Sequence, residues 1–225
     1  MFGNFDLPGY LETHFPPLAW PKIMMGPVFH SWPIALRFEL GGRDNLPTVC
    51  AKATALYEAA FTPGDMCAVA AGRFIQRIRP PRLVVPAQPS HDLFGFAAAQ
   101  GLGVGAAEQR KEVVERGSED PYDDGTWVLE WACRRARTFG HARILEGIAN
   151  CDHLVEPWID DRVYFVAPKK GLLFHMYDDR GLDMVAADRA MLAPIYRRFE
   201  QWLLDDFRER MDETFEDTPR PGARE

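Results

Sequence analysis

The stretch VYFVAPKKGLLFHMYDDRGLDMVA, residues 163–186, decides the fold that we predict for this chain. It contains three short apolar runs, at 163–166, 172–177 and 182–186, which have the length and composition of strands. A Pro-Lys-Lys-Gly turn separates the first two runs, and an Asp-Asp-Arg-Gly turn separates the last two. Both are typical turn sequences, because aspartate bonds nearby backbone groups and glycine adopts left-handed conformations at little cost. The stretch therefore predicts three consecutive antiparallel strands, a β-meander.

The second turn determines which side chains share a face of its hairpin. If residues 179–181 form a three-residue loop in which Gly181 has a positive φ, Tyr177 lies opposite Asp183. Side chains alternate between the two faces of a strand, so His175 then shares a face with this pair. A change of one residue in the loop length would separate His175 from Asp183.

Titratable residues concentrate on this hairpin and in the loop before it. The candidate functional residues are Asp152, His153, Glu156, His175, Tyr177, Asp178, Asp179, Arg180 and Asp183. Imidazole and carboxylate groups bind divalent metals, and a carboxyl group with a raised pKa can donate a proton. A small metal-assisted hydrolase is therefore one interpretation. Its site is centred on His175, Asp178, Asp179 and Asp183, and the preceding loop contributes Asp152, His153 and Glu156.

The alternative interpretation of the same residues is structural. Aspartates at turns bond the backbone, and Arg162 and Arg180 adjoin the aspartates in the sequence, so ion pairs account for most of the charges. The loop from Asp152 to Glu156 contains a His-x-x-Glu sequence, which lacks the helical HExxH spacing that identifies a zinc site. We favour the structural interpretation and predict neither a bound metal nor a cofactor.

The remainder of the body alternates between strand and helix patterns. We predict a half-exposed strand at 34–40, a buried strand at 66–71, a strand at 127–133, and helices at 48–61 and 142–149. Residues 73–125 are irregular and predict a loop with one short helix. An apolar stripe predicts a long amphipathic C-terminal helix over 194–215, with Pro194 at its start or at a kink.

The two ends of the chain differ from this pattern. Residues 1–33 combine prolines with aromatic residues, which predicts an extended arm packed on the body, and residues 217–225 predict a disordered tail. Residues 1–216 are then a single α+β domain with a mostly antiparallel sheet. Because both faces of the meander strands are largely apolar, we expect helices on both faces of the sheet.

Three other motifs are weaker than they first look. The arginines of GRFIQRIRPPR, residues 72–82, could bind an RNA backbone, but arginines spaced along a strand usually form a solvated face. The glycines of GLGVG, residues 101–105, lack the spacing of a dinucleotide-binding loop. DPYDDG, residues 120–125, lacks the glutamate that closes a calcium loop, because the twelfth position is Trp131.

The composition narrows the class of protein further. The formal net charge is −7, which makes nucleic acid and anionic membranes unlikely partners, since both attract positive surfaces. The four cysteines lie far apart and have no metal-site spacing, as expected of reduced thiols in the cytoplasm. Prolines interrupt the N-terminal segment before a signal sequence could develop, and no apolar run reaches the roughly 20 residues that span a bilayer.

Three segments resemble a known family. They are ANCDHLVEPWIDDRVYFV (149–166), LLFHMYDDRGLDMVA (172–186) and LAPIYRRFEQWLLDD (192–206), and they are similar to the C-terminal signature of an uncharacterised bacterial family of domains of unknown function, DUF3885. The resemblance implies a short helix ending in Asn-x-Asp, a strand, a hairpin with a YDDRG-type turn and a final long helix that carries a tryptophan. It implies no established activity.

These observations favour a cytoplasmic binding or interaction protein without catalysis, of an immunity-like or regulatory kind. The acidic charge, the missing catalytic motif and the family resemblance support a protein partner over nucleic acid or a membrane. The sequence does not specify the oligomeric state.

Overall fold

A computed structural model describes residues 5–41, 45–76, 91–115 and 125–216 of the chain. Over these residues seven strands form one sheet, in which every neighbouring pair is antiparallel. The strands are β1 (Ala35–Glu39), β2 (Met66–Gln76), β3 (Gln109–Glu115), β4 (Gly125–Arg135), β5 (Arg162–Ala167), β6 (Leu172–Met176) and β7 (Gly181–Ala186), in the spatial order β1-β7-β6-β5-β2-β4-β3. The predicted α+β class and the C-terminal meander β5-β6-β7 are confirmed.

Helices complete the described part of the fold. They are α1 (Leu7–His14), α2 (Val28–Ser31), α3 (Leu46–Ala60), α4 (Leu93–Ala99), α5 (His141–Cys151), α6 (Arg189–Arg198) and α7 (Arg208–Phe215). The predicted helices at 48–61 and 142–149 correspond to α3 and α5. No helix of the described residues is both long enough and apolar enough to cross a membrane.

The β6-β7 hairpin has the predicted faces but a different register. Asp183 lies opposite His175, and Tyr177 instead bonds Gly181, so the loop comprises residues 178–180. The two registers differ by two residues, and an even shift keeps every side chain on its predicted face. The predicted positive φ of Gly181 is wrong, because this residue is the first of β7 and the turn is held by Asp178.

Gly181 leaves room for the Tyr177 side chain. A Cβ atom at this position would meet the phenol end of Tyr177, which would have to move aside. The turn itself depends on Asp178, whose Oδ1 accepts hydrogen bonds from the backbone amides of Arg180 at 2.8 Å and Gly181 at 3.0 Å.

The strand β1 is buried on both faces, so the prediction of a half-exposed strand is wrong. Leu36 and Phe38 are fully buried on one face, and Arg37 on the other is only 7% exposed. The N-terminal segment and α7 cover the second face: the ring of Phe29 lies 5.0 Å from the guanidinium of Arg37, and the sulfur of Met211 accepts from the Arg37 amide at 3.3 Å. A charged residue in a strand pattern therefore does not show that its face is exposed to solvent, because a buried counter-ion can face it.

The N-terminal segment packs on the body, but it is helical rather than extended. Pro8 lies in the first turn of α1, where its missing N–H is not needed, and the Asp6 carboxylate caps the helix by accepting from the Gly9 amide at 3.2 Å. Leu7 and Leu11 are the buried residues of this helix. Residues 1–4 of the predicted arm lie outside the described residues, as does the predicted tail at 217–225.

The prediction for residues 73–125 was incomplete. The region contains the end of β2, helix α4 and the edge strand β3. Sequence reasoning missed β3 because five of the seven residues of QRKEVVE are polar. Charged residues are common on edge strands, where they discourage pairing with other chains. GLGVG is a loop, as predicted, whereas residues 77–90 and 116–124, with most of the arginine-rich and DPYDDG motifs, lie outside the described residues.

The predicted long C-terminal helix is wrong, because two short helices with 3-10 turns between them occupy this part of the chain. Helix α6 ends at Arg198, two single 3-10 turns follow, and α7 begins at Arg208. Between the turns the chain is extended, so that Leu203 forms a bridge with Phe38 and the Leu204 amide donates to the Arg37 carbonyl at 3.0 Å. β1 is an edge strand with free backbone groups, and this extended pair satisfies them at the cost of helical continuity.

Replacement of Leu204 by proline tests this explanation. Its φ of −69° suits proline, so the variant removes the amide donor without forcing a new backbone conformation. We expect it to lower the free energy of unfolding by about 1 to 3 kcal/mol relative to Leu204→Ala, which keeps the amide. Urea denaturation of the two variants measures the difference, and equal stabilities would show that the bond to β1 is unimportant.

Candidate functional site

Asp183 and Arg37 form a fully enclosed ion pair. Arg37 donates from Nε to Asp183 Oδ1 at 2.7 Å and from its second guanidinium nitrogen to Oδ2 at 2.8 Å. Oδ2 also accepts from the Phe29 amide at 3.2 Å, and the carboxylate has no exposed surface. Both oxygens are therefore occupied by partners from β1 and from the N-terminal segment, which leaves Asp183 no free position for a metal or a substrate.

Aromatic rings enclose the guanidinium of this pair. The rings of Tyr177 and Phe207 each lie 5.4 Å from it, and its first terminal nitrogen donates to His30 Nε2 at 3.2 Å. Burial, followed by the positive charges of Arg37 and Arg210, lowers the pKa of His30, in agreement with a neutral ring that accepts this bond. Burial raises the pKa of Tyr177 to about 12, so its phenol remains protonated.

His175 lies beside this pair but is closed off from solvent. Its Nδ1 donates to the Val163 carbonyl at 2.9 Å, and its ring stacks on Tyr164 at 4.3 Å between centroids. Burial lowers its pKa, so the imidazole is neutral in the folded protein. The structure thus brings His175 opposite Asp183, as expected of a shared face, but in a packed interior rather than in an open cleft.

The lowered pKa of His175 predicts a pH dependence of stability. The unfolded chain binds the proton near the ordinary histidine pKa of 6.5, whereas the folded protein resists it. The stabilisation is complete above about pH 6.5 and falls with decreasing pH, by at most about 1.4 kcal/mol per pH unit for this one group. His175→Asn keeps a donor for Val163 and removes the titration, so its stability should fall less between about pH 7 and pH 5. Parallel urea denaturation profiles of the two proteins would contradict the prediction.

Three of the candidate carboxylates converge at the hairpin turn, and we call them the acidic turn cluster: Asp152, Asp178 and Asp179. One oxygen from each lies within 4.8 Å of the others, so the cluster could hold a divalent cation. Burial and the repulsion of the other two carboxylates raise the pKa of Asp152.

Each buried member of the cluster already has a partner. Asp178 accepts from Arg180 Nε at 2.9 Å in addition to the two turn amides. Asp179 is 3% exposed and lies 2.9 Å from His153 Nε2. The contacts of Asp178 are therefore those of the structural interpretation, whereas Asp179 is bound by His153. Asp152 is exposed and its carboxyl group interacts with that of Asp179.

Glu156 lies at the other end of the loop and faces a different residue. Its carboxylate is 3.9 Å from His91 Nε2, and the His91 ring stacks on Trp158 at 4.0 Å. The nine sequence candidates thus divide into three places: the buried pair with its neighbours, the acidic turn cluster with its partners, and Glu156.

Sequence reasoning missed the apolar residues between these charges. We use the name 152–156 loop for the segment Asp152–Glu156, which follows α5. Leu154 is 72% exposed and Val155 46% exposed, and Leu154 has a φ of 52°. A branched apolar side chain in the left-handed region is strained, with a cost on the order of 1 kcal/mol or more. The sequence feature that could have indicated these residues is an apolar pair, Leu154 and Val155, flanked by charged residues in a loop.

Hydrogen bonds hold the 152–156 loop in this shape. The amides of His153 and Val155 both donate to the Asn150 carbonyl, at 3.1 and 3.2 Å. The amide of Leu154 donates to the Cys151 carbonyl at 3.0 Å. The contact between His153 and Asp179 ties the same loop to the hairpin turn. The exposed apolar side chains are therefore carried on a backbone that is already ordered.

A concave region of the surface lies beside His91, the residue that faces Glu156. It is a cleft of about 460 Å³ lined by Gly72, Arg73, Phe74, His91, Asp92, Trp127, Asp160, Asp161 and Arg162. Arg73 does not form a solvated basic face, because it pairs with Asp161 at 3.0 Å and with Glu130. Burial raises the pKa of Asp161 in spite of that pairing. Arg73 and Asp161 of this cleft are thus committed to each other, whereas Asp92 accepts from the Gly95 amide and Arg162 donates to the Met24 carbonyl.

Comparisons with known proteins give one result. Residues 7–206 match the family described as a domain of unknown function, DUF3885. No curated protein and no solved structure matches the chain. The match extends well beyond the three C-terminal segments and covers most of the sheet and its helices. The chain therefore belongs to the DUF3885 family.

Proposed function

We propose that this protein is a cytoplasmic binding protein without catalysis, and that it recognises a protein partner through the 152–156 loop. The observation that carries the proposal is the exposure of Leu154 and Val155 on an ordered loop in which Leu154 is strained. Exposed apolar side chains with ordered backbones are typical of binding surfaces, because little entropy is lost when a partner covers them. An immunity-like or regulatory role, in which one protein holds another, fits this kind of surface.

The contacts of the predicted catalytic residues support binding over catalysis. A general acid or base needs an accessible group near a substrate, but His175 and Asp183 are enclosed and hydrogen-bonded. The net charge of −7 disfavours nucleic acid as the partner.

Replacement of the apolar tip of the loop, Leu154 and Val155, should weaken the interaction strongly. We expect Leu154→Ser/Val155→Ser to weaken partner binding by about 30-fold or more, which corresponds to a loss of about 2 kcal/mol for a pair of residues at the centre of an interface. The measurement is copurification from an extract of the source cells, followed by native mass spectrometry to establish a stoichiometric complex. Met191→Ser is the matched control, because this methionine is 38% exposed on α6 and lies outside the loop. Recovery of the same stoichiometric partner with the double variant would refute the proposal.

A companion variant separates loss of binding from loss of folding. Leu154→Gly relieves the left-handed strain while it removes the apolar side chain. Its free energy of unfolding should stay within about 1 kcal/mol of the natural protein, because relief of strain and added chain entropy oppose each other. It should nevertheless fail to bind the partner.

The second candidate function is metal-assisted hydrolysis, and the acidic turn cluster is the observation that favours it. Of the site expected from sequence, Asp178, Asp179 and the loop residue Asp152 take part in this cluster, whereas His175 and Asp183 do not. Calorimetric titration with magnesium and manganese tests the candidate. Stoichiometric binding that disappears in Asp152→Asn, with an unchanged unfolding midpoint of the metal-free variant, would favour hydrolysis over our main proposal.

A further inference from the structure

The surroundings of the exposed Leu154–Val155 tip indicate what kind of partner would cover it. Asp152 begins the loop and Glu156 ends it, and both are exposed. Asp178 and Asp179 lie against Asp152 at the base of the tip. The apolar tip is therefore bordered by carboxylates that come from both the loop and the β6-β7 turn.

Among the described residues, the carboxylates at the tip outnumber the basic groups that face them. On the Glu156 side, His91 Nε2 lies 3.9 Å from the carboxylate and carries a charge only when it is protonated. The Arg180 guanidinium is the exposed cation that touches the cluster, and it is paired with Asp178. His153 lies against Asp179 and is largely buried, with 9% of its side chain exposed. Asp152 and Glu156 thus present negative charge to any molecule that approaches the tip.

We infer that the partner is a basic protein, different from this chain, whose surface offers an apolar pocket for Leu154 and Val155 and lysine or arginine side chains for Asp152 and Glu156. This inference rests on the proposed function and specifies the partner of the same surface. Complementary charge around an apolar contact accelerates association and excludes wrong partners.

The same charges exclude a second copy of this chain as the occupant. A symmetric dimer through the 152–156 loop would place two acidic rims against each other, on molecules that each carry a net charge of −7. Like charges that meet in an interface are costly and slow the encounter. The occupant of the Leu154–Val155 tip is therefore a basic protein and not a second copy of this chain.

A photo-crosslinking experiment tests the inference with the full chain. A photoreactive amino acid at position 154 is activated in an extract of the source cells, and the crosslinked peptide of the captured protein is identified by mass spectrometry. We expect lysine or arginine beside apolar residues in that peptide. We also expect the yield to fall at least about tenfold when sodium chloride is raised from about 50 mM to about 500 mM, because salt screens exposed charge pairs.

Charge variants give the matched comparison. Asp152→Asn/Glu156→Gln should lower the crosslinking yield about tenfold at low salt and remove most of its salt dependence. Glu112→Gln is the control, since Glu112 is similarly exposed but lies on β3 at the opposite edge of the sheet from β1 and β7, and it should leave the yield unchanged. The purified protein alone should give no crosslinked dimer.

The possible outcomes separate the inference from the function on which it rests. Specific capture at position 154 that is independent of salt and of the two carboxylates, capture of an acidic peptide, or a crosslinked dimer would overturn the basic partner and leave a binding loop. Absence of any specific crosslink at position 154, together with specific crosslinks at another surface position, would overturn both.

Discussion

Replacement of Asp183 by asparagine is expected to lower the free energy of unfolding by about 3 to 5 kcal/mol, because it leaves the Arg37 charge buried without its counter-ion. The carboxylate has no exposed surface and holds the guanidinium by two hydrogen bonds, so water cannot replace it. Asparagine has nearly the same shape, and the loss is therefore one of charge rather than of volume. Urea denaturation near neutral pH measures the difference.

An exposed ion pair provides the control for this prediction. Arg110 and Glu112 on β3 also form an ion pair, but both side chains are nearly half exposed. Glu112→Gln should therefore change the stability by less than about 1 kcal/mol. If Asp183→Asn were as mild as Glu112→Gln, the Arg37 guanidinium would have to reach solvent in the variant, and the buried pair would not be essential to β1.

Local patterns explain which parts of the fold could be predicted from the sequence. The meander and helix α3 depend on short-range periodicity and turn chemistry, and both are confirmed. The face shared by His175 and Asp183 was also correct, because an even shift of register preserves it. The turn was assigned to the wrong residue, since aspartate side chains and glycine can both stabilise a tight turn and the sequence offers both.

The errors arise where distant segments determine the local structure. Nothing near Arg37 in the sequence shows that Asp183 would neutralise it, so β1 was predicted to be half exposed. Likewise, the stripe over 194–215 is continuous, and the helix breaks because Leu203 and Leu204 bond a strand that lies far away in the chain. Contacts of this kind cannot be read from periodicity.

The candidate site shows the same division. The turn bonds of Asp178 and its ion pair with Arg180 are those of the structural interpretation. Asp179 is instead bound by His153, and Arg162 donates to the Met24 carbonyl rather than to an aspartate. The convergence of Asp152 with Asp178 and Asp179 depends on how α5 and the hairpin pack together. The exposure of Leu154 depends on a left-handed backbone that no apolar pattern predicts.

Replacement of Tyr57 by alanine should have an effect as large as that of Asp183→Asn. The Tyr57 ring is fully buried on α3, where it stacks between Phe61 at 4.5 Å and His141 at 4.4 Å. It also meets Phe165 and Phe174 edge to face, at 5.1 and 5.6 Å, and so joins two helices to the sheet. Removal of a ring with this many contacts leaves a cavity, and we expect a loss of about 3 to 5 kcal/mol in urea denaturation.

The matched variant Tyr57→Phe distinguishes the ring from its hydroxyl group. Among the described residues, the hydroxyl has one weak hydrogen bond, to Cys67 Sγ at 3.9 Å. Burial raises the pKa of Tyr57 so far that the phenol stays neutral. Phenylalanine keeps the stacking and the volume, so its cost should be below about 1 kcal/mol. A large loss in both variants would mean that the hydroxyl is the essential group. A small loss in Tyr57→Ala would mean that α3 and α5 can close over the vacated space, because the cost of such a cavity depends on how far its walls collapse.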